Sequence, residues 1–242
     1  MSTQKPLAII TGASSGIGRA TAIALAKAGH PLLLIARRVD VLNALNLPNT
    51  IAAHVDVTDL AALKEAVNHA ESEYGPADLL INNAGVMLLG QIDEQNPSEW
   101  QTMLNVNVQG VLNGVHTVIA NMKSRNSGTI VNISSIAGRK TFPAHAAYVG
   151  TKFAVHGLTE NIREEVSSSN VRVITIAPGA VETELLSHTT SDQIKDNYND
   201  WKKEMGGVLA AEDVVNSILF AYQQPQNVCI REIVLAATRQ QA

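Results

Sequence analysis

The stretch Leu7-Ala8-Ile9-Ile10-Thr11-Gly12-Ala13-Ser14-Ser15-Gly16-Ile17-Gly18 decides the reading of this chain. Four apolar residues of strand length run into a turn holding three glycines, and the residues from Ile17 to Ala28 then take up helical spacing. A glycine turn between a strand and a helix lets backbone amides approach a bound group closely. The helix beginning near Gly16 points its unpaired N–H groups and positive dipole end at the same place, which suits a pyrophosphate. Taken alone, such glycines also fit a turn that needs only backbone freedom. Their position directly after a first strand favours the nucleotide reading.

The pattern repeats outward from this point. Short β-branched or leucine-rich runs recur at 32–35, 51–55, 78–81, 129–133, 171–176 and 233–235, and helical spacing occupies 17–28, 60–74, 100–122, 148–166 and 212–222 between them. Strands this apolar, without polar alternation, belong in a parallel sheet covered on both faces. The expected fold is therefore α/β: a doubly wound (Rossmann) parallel sheet of about seven strands with helices on both faces, one domain spanning residues 1–242. In such sheets ligands bind beyond the carboxyl ends of the strands, so the residues that follow each apolar run are the candidate site. Residues 184–207 break the rhythm. They are polar, hold no clear strand, carry a weakly amphipathic Ile194-Tyr198-Trp201, and read as a substrate loop or lid.

Composition excludes several classes of function. The 242 residues are 45% hydrophobic and 17% charged with a formal net charge of −4, typical of a folded domain and without the basic stripe that a nucleic-acid partner requires. No apolar run approaches the roughly 20 residues of a membrane span, so no membrane partner is expected. Cys229 is the single cysteine, which forbids an internal disulfide and fits a reducing cytoplasm. The seven histidines show no metal-ligand spacing, and no metal site is expected. His145 and His188 are noted as histidines near the candidate site, although a surface role suits both.

Tyr148 and Lys152 are four residues apart in a helical stretch, on one face of the helix. A phenol near pKa 10 is a poor acid or base at neutral pH. A neighbouring ammonium favours the phenolate, lowers that value and makes the residue a usable proton carrier.

The glycine spacing is G-x-x-x-G-x-G, and here the sequence resembles the short-chain dehydrogenase/reductase family, whose motif is T-G-x-x-x-G-x-G. The resemblance covers nearly the whole chain. Asn82-Asn83-Ala84-Gly85 is similar to the family's N-N-A-G, Tyr148-Val149-Gly150-Thr151-Lys152 to its Y-x-x-x-K, and Pro178-Gly179 with Val181 and Thr183 to its P-G-x-V-x-T. One such motif is weak, but several in family order at strand ends are strong. The resemblance implies catalytic roles for Asn107, Ser135, Tyr148 and Lys152. Ser135 lies thirteen residues before Tyr148, an interval that resembles the family's, and is preferred over the chemically identical Ser134 on that spacing. Asn107 resembles the family asparagine that holds a water near the catalytic lysine. Asn105 is about 200° away on an α-helix, so only one of the two faces the site.

The resemblance further implies a nicotinamide cofactor. Gly12, Ser14, Ser15, Gly16, Ile17 and Gly18 would hold its pyrophosphate, Asp56 and Val57 its adenine, and Asn83, Ala84 and Gly85 the adenosine ribose side. Tyr148, Lys152, Pro178, Gly179, Val181 and Thr183 would face the nicotinamide end. Asp56 with Thr58 also fits a simple turn or helix cap. After the second strand, where a NAD site carries an acid, the chain has Arg37-Arg38, and a guanidinium fork suits a 2′-phosphate. NADP(H) is the expected cofactor, a small carbonyl or alcohol the expected substrate, and a homotetramer the assembly the family suggests. Residues 231–235 and 238–240 faintly resemble members acting on small hydroxy acids such as serine. The competing reading is a non-catalytic NADP(H) sensor on the same fold, a class that tends to lose the tyrosine or lysine. A transferase or hydrolase on the same fold is a weaker rival, since fold alone does not fix function.

Overall fold

A computed structural model describes residues 5–241, so the expected 1–242 domain extends beyond the described range at both ends. Seven parallel strands form one sheet: β1 Leu7–Thr11, β2 Leu32–Ala36, β3 Thr50–His54, β4 Ala77–Asn82, β5 Gly128–Ile133, β6 Val171–Pro178 and β7 Glu232–Leu235. Their order is β3-β2-β1-β4-β5-β6-β7. The expected doubly wound architecture is thus observed.

Helices cover both faces. α1 Gly16–Lys27, α2 Val39–Asn43 and α8 Ala211–Tyr222 lie on one side, and α3 Leu60–Tyr74, α5 Gly110–Arg125 and α6 Ala146–Glu165 on the other. Side-chain alternation along each strand divides the core in two. From β1, Leu7 and Ile9 join Val67, Val118 and Ile162. Ala8 and Ile10 join Leu25 and Ile218 on the opposite face. Because both faces are buried, the strands read as unbroken apolar runs rather than as alternating ones.

Chain-end chemistry sets several boundaries. Asp59 caps α3 by accepting from the Ala62 amide at 3.0 Å. Asn96 caps α4 Pro97–Leu104, with proline in its first turn where no backbone donor is missed. The helix expected over 100–122 therefore starts earlier and is not uniform: α4 leads into a π-helical turn, Asn105–Gln109, before α5. The expected lid contains a short 3₁₀ turn, Glu184–His188, and a full helix, α7 Asp192–Glu204, capped by Ser191. Val181 and Leu209, on either side of this segment, form an isolated parallel bridge.

From β1 the sheet proceeds through β2 and β3 in one direction and through β4 to β7 in the other. This is the switch point at which open α/β sheets leave a crevice beyond their strand ends.

Candidate active site

The crevice is a cavity of about 860 Å³ that runs from the ends of β2 and β3 to the beginning of α6. Its floor is the glycine turn. Gly12 has φ +65°, and a Cβ there would stand 2.7 Å from the Ala84 Cα, so the β1 and β4 loops touch backbone to backbone. Thr11 and Asn83 lock this contact. The Thr11 hydroxyl accepts from the Asn83 and Ala84 amides at 3.0 and 3.1 Å, and the Asn83 side chain donates to the Thr11 and Gly12 carbonyls at 3.0 and 3.1 Å. The carboxamide of Asn83 is thereby committed to the protein. Gly18 does not line the cavity; a Cβ there would lie 2.4 Å from the Gly12 carbonyl, which makes it a packing residue between α1 and the turn.

At the β2 end, Arg37 and Arg38 line the cavity together with Asp56 and His188. Arg38 donates to the Ser14 hydroxyl at 3.1 Å and pairs with Glu184 at 3.0 Å. Asp56 accepts from the Thr58 amide and hydroxyl at 2.9 and 2.8 Å. Burial pushes its carboxyl up, but these hydrogen bonds and the Arg37 charge outweigh burial and hold it below its ordinary value. Its turn role is therefore present. His188, held low by burial and by the Arg37 and Arg38 charges, is a further group at this cationic end.

At the other end, Ser135, Tyr148 and Lys152 meet. β5 delivers Ser135 just past its last residue, and α6 places Tyr148 and Lys152 one turn apart. The Lys152 ammonium lies 5.7 Å from the Tyr148 ring centroid and donates to the Ile133 carbonyl at 3.0 Å. Ser134 and Ser135 diverge as neighbours in an extended segment do. The Ser134 hydroxyl faces α6, 3.2 Å from the Lys152 carbonyl and 2.9 Å from His156 Nδ1, whereas Ser135 lines the cavity with Tyr148, its Oγ accepting from the Ala137 amide at 3.1 Å.

The electrostatics of the pair differ from the sequence expectation. Burial pushes the Tyr148 phenol well above its ordinary value, with the Ser135 hydroxyl opposing and nearby Tyr198 adding to the rise. Burial also pushes Lys152 down to about 8. Desolvation of the phenolate thus outweighs the neighbouring ammonium, which burial itself disfavours. Burial thus favours Tyr148 as a neutral phenol.

Asn107 lies behind the cavity, not on its wall. It is buried in the π-helical turn, donates to the Val86 carbonyl at 2.9 Å and the Thr151 hydroxyl at 3.1 Å, and accepts from the Val86 amide at 2.8 Å. Asn105 is turned outward and accepts from Gln101 at 2.7 Å. Ser14, Ser15, Gly16, Ile17, Val57, Ala84, Gly85, Pro178, Gly179, Val181 and Thr183 all line the cavity.

Residues 184–207, read from the sequence as a substrate loop, do supply cavity wall, whereas Met87 was missed. Met87, Leu185, Leu186, Ile194, Tyr198 and Trp201 line the cavity around Tyr148, and the i, i+4, i+7 spacing of Ile194, Tyr198 and Trp201 was the available signal. Gln240 also reaches the wall, accepting from the Ala180 amide at 2.9 Å. No local pattern marks it. Among the described residues, no helix is long and apolar enough to cross a membrane.

A dinucleotide fits this donor set: the glycine turn with a helix N-terminus for the phosphates, two arginines at one end and a Ser-Tyr-Lys group at the other. Fold and crevice together define an oxidoreductase of the doubly wound α/β class. Residues 6–194 match the family model for short chain dehydrogenases, and the chain belongs to that family. It is similar to an uncharacterized oxidoreductase of Listeria monocytogenes, 36% identical over 99% of each chain. Among solved structures it is similar to the closed form of a serine dehydrogenase complexed with NADP+, at TM-score 0.90 and 28% identity over 98% of this chain and 96% of that one. It is similar also to an alcohol dehydrogenase from the archaeon Thermococcus sibiricus complexed with 5-hydroxy-NADP, at TM-score 0.85 and 26% identity over 98% of each chain.

Proposed function

We propose that this protein is an NADP(H)-dependent oxidoreductase that interconverts a carbonyl compound and an alcohol, with Tyr148 as general acid/base. The observation that carries the reading is the meeting of Ser135, Tyr148 and Lys152 at one end of a cavity whose other end holds Arg37 and Arg38. The cofactor, when bound, supplies or accepts the hydride. In the reducing direction Ser135 and Tyr148 hydrogen-bond the substrate oxygen and Tyr148 gives it a proton, a task that suits the neutral phenol that burial favours. Lys152 faces the Tyr148 ring and would hold the ribose hydroxyls, and Asn107 fixes the Val86 backbone beside Gly85, where a water would relay protons from solvent.

Arg37 and Arg38 would receive the 2′-phosphate, the preference for NADP(H) over NAD(H) resting on their charge. Asp56 and Val57 would border the adenine, and Gly12, Ser14, Ser15, Gly16 and Ile17 would cradle the pyrophosphate, with Gly18 packing α1 against the turn. Solved relatives carrying NADP-type ligands support this assignment. A homo-oligomer is part of the same reading: Leu104, Leu112 and Phe153, on α4, α5 and α6, are 47%, 41% and 45% exposed, apolar surface that a second copy would cover.

The test is reduction of a ketone panel with NADPH and NADH. Wild type should oxidise NADPH with the higher kcat/KM. Tyr148→Phe should lose at least about a hundredfold in turnover while NADPH affinity stays within about threefold, roughly 0.7 kcal/mol. A variant that keeps a tenth of the activity refutes the role of Tyr148. Binding without turnover in wild type would favour the sensor reading.

A further inference from the structure

The cavity around Tyr148 is a hydrophobic cluster open on one side. Met87 is buried in it, and Phe142, Leu185, Ile194 and Tyr198 pack against it. Trp201 continues this wall, its ring edge-on to Tyr198 at 5.2 Å between centroids.

What charge could meet a substrate here follows from the basic side chains on the cavity wall. Among the described residues these are Arg37, Arg38, His145, Lys152, His188 and Lys202. Arg37 and Arg38 follow β2, with His188 beside them, and β1 and β4 separate β2 from β5, so they stand about 14 Å across the sheet from Ser135. Lys152 has no carboxylate partner, but one of its donors is taken by the Ile133 carbonyl at 3.0 Å and, in the proposed reading, the others by the ribose hydroxyls; Lys202 pairs with the Glu182 carboxylate at 2.9 Å. His145 places Nδ1 2.6 Å from the Pro143 carbonyl, and burial holds the ring below its ordinary value, hence neutral at pH 7. Arg231 and Arg239, the basic residues of the C-terminal stretch that resembles hydroxy-acid enzymes, do not line the cavity.

A carboxylate placed beside Tyr148 would therefore lose water against apolar walls and find no free cation. An uncharged carbonyl with an apolar body would bury its surface there at no such loss. We infer that this site takes uncharged aldehydes and ketones carrying an apolar body of aromatic size and rejects oxo and hydroxy acids, with Tyr198 and Trp201 on α7 setting the preference. This rests on the proposed carbonyl chemistry of Tyr148.

The test compares methyl benzoylformate with benzoylformate, the same aromatic ketone as a neutral ester and as an anion. With NADPH, the ester should exceed the acid by about a hundredfold in kcat/KM, mainly through KM. Equal or higher kcat/KM for the acid overturns the inference. Calorimetric titration of both compounds into protein saturated with NADP+ gives a readout independent of turnover. An ester that binds while the acid does not, without reduction of either, supports the apolar site and refutes the catalytic reading instead. If neither compound binds, the inference is overturned.

Two variants locate the preference. Tyr198→Ala should raise KM for the ester about tenfold, and Tyr198→Phe, which keeps the ring, should leave it within about twofold, roughly 0.4 kcal/mol. Equal loss in both would assign the effect to the hydroxyl and overturn the apolar-wall argument.

Discussion

Replacing Lys152 by methionine should make the protein more stable at pH 7 while abolishing turnover. The Lys152 side chain is buried, and burial lowers its pKa from 10.5 to about 8. At about 1.36 kcal/mol per pKa step, keeping it charged in the folded state costs about 3 kcal/mol. Against this stands the hydrogen bond to the Ile133 carbonyl, whose loss leaves a buried acceptor unpaired and costs about 1–2 kcal/mol. Methionine fills the same channel with a flexible apolar chain. The net gain is about 1–2 kcal/mol, a Tm rise of roughly 2–8 °C for a chain of this length.

The pH dependence separates this mechanism from ordinary repacking. Below the folded pKa of about 8, lysine is charged in both states and the burial cost is fully present. As pH rises from about 8 to 10.5, the unfolded chain still binds a proton that the folded one has released, so wild-type stability climbs relative to the variant. The advantage of Lys152→Met should shrink across that window and reverse above it, where only the lost hydrogen bond remains. Urea unfolding of both proteins at pH 7, 9 and 11 reads the difference directly. A variant less stable than wild type at pH 7, or an advantage that stays flat with pH, would refute the reasoning.

Gly12→Ala must place a Cβ 2.7 Å from the Ala84 backbone at φ +65°, and should cost at least about 2 kcal/mol; urea unfolding measures the loss, and a neutral effect would mean that the β1 and β4 loops can part freely. Asn107→Ala strips the Val86 amide and carbonyl of their side-chain partner and should cost about 2–4 kcal/mol in the same assay. Arg37→Asp should weaken NADP+ binding by at least about tenfold, leave NAD+ nearly unchanged and spare turnover at saturating cofactor; fluorescence titration with both dinucleotides checks it, and equal losses would remove Arg37 from the 2′-phosphate assignment.

The sheet was legible because its strands are buried on both sides. Runs such as Leu32 to Ile35 need no alternation, and flanking glycines and polar residues mark their ends. What the sequence hid was short or irregular. The helix Val39–Asn43 is too brief to show a period, and the π-helical turn at Asn105–Gln109 has the same residue types as the α-helix around it. The helix Asp192–Glu204 did carry a pattern, but its apolar face holds few residues amid charge, so its signal was faint.

For the site, topology pointed to the junctions after β2 and β5, since every parallel strand delivers its next residues to the same edge, while the choice of Ser135 over Ser134 there rested on the family interval. Environment was harder to read. Sequence spacing brings Lys152 beside Tyr148 but says nothing of the depth at which both lie, and depth decides the direction of both pKa shifts. Gln240 reaches the wall only through the return of the chain after β7, a long-range outcome with no local signature.

The bridge between Val181 and Leu209 gives the segment it encloses a particular kind of independence. The Glu182 amide donates to the Leu209 carbonyl at 2.9 Å and the Leu209 amide to the Ala180 carbonyl at 3.0 Å, so the chain departs from the body and rejoins it at a single stitched gate. Within it Thr189 is a second tie, its hydroxyl donating to the Met87 carbonyl at 3.1 Å and accepting from the Leu89 amide at 3.2 Å, but α7, with Ile194, Tyr198 and Trp201, can change in composition without disturbing the register of β6 or the seat of α8. Such a segment is an exchangeable cassette: substrate range can drift through changes confined to it, while the sheet, the glycine turn and the proton-handling residues are inherited intact.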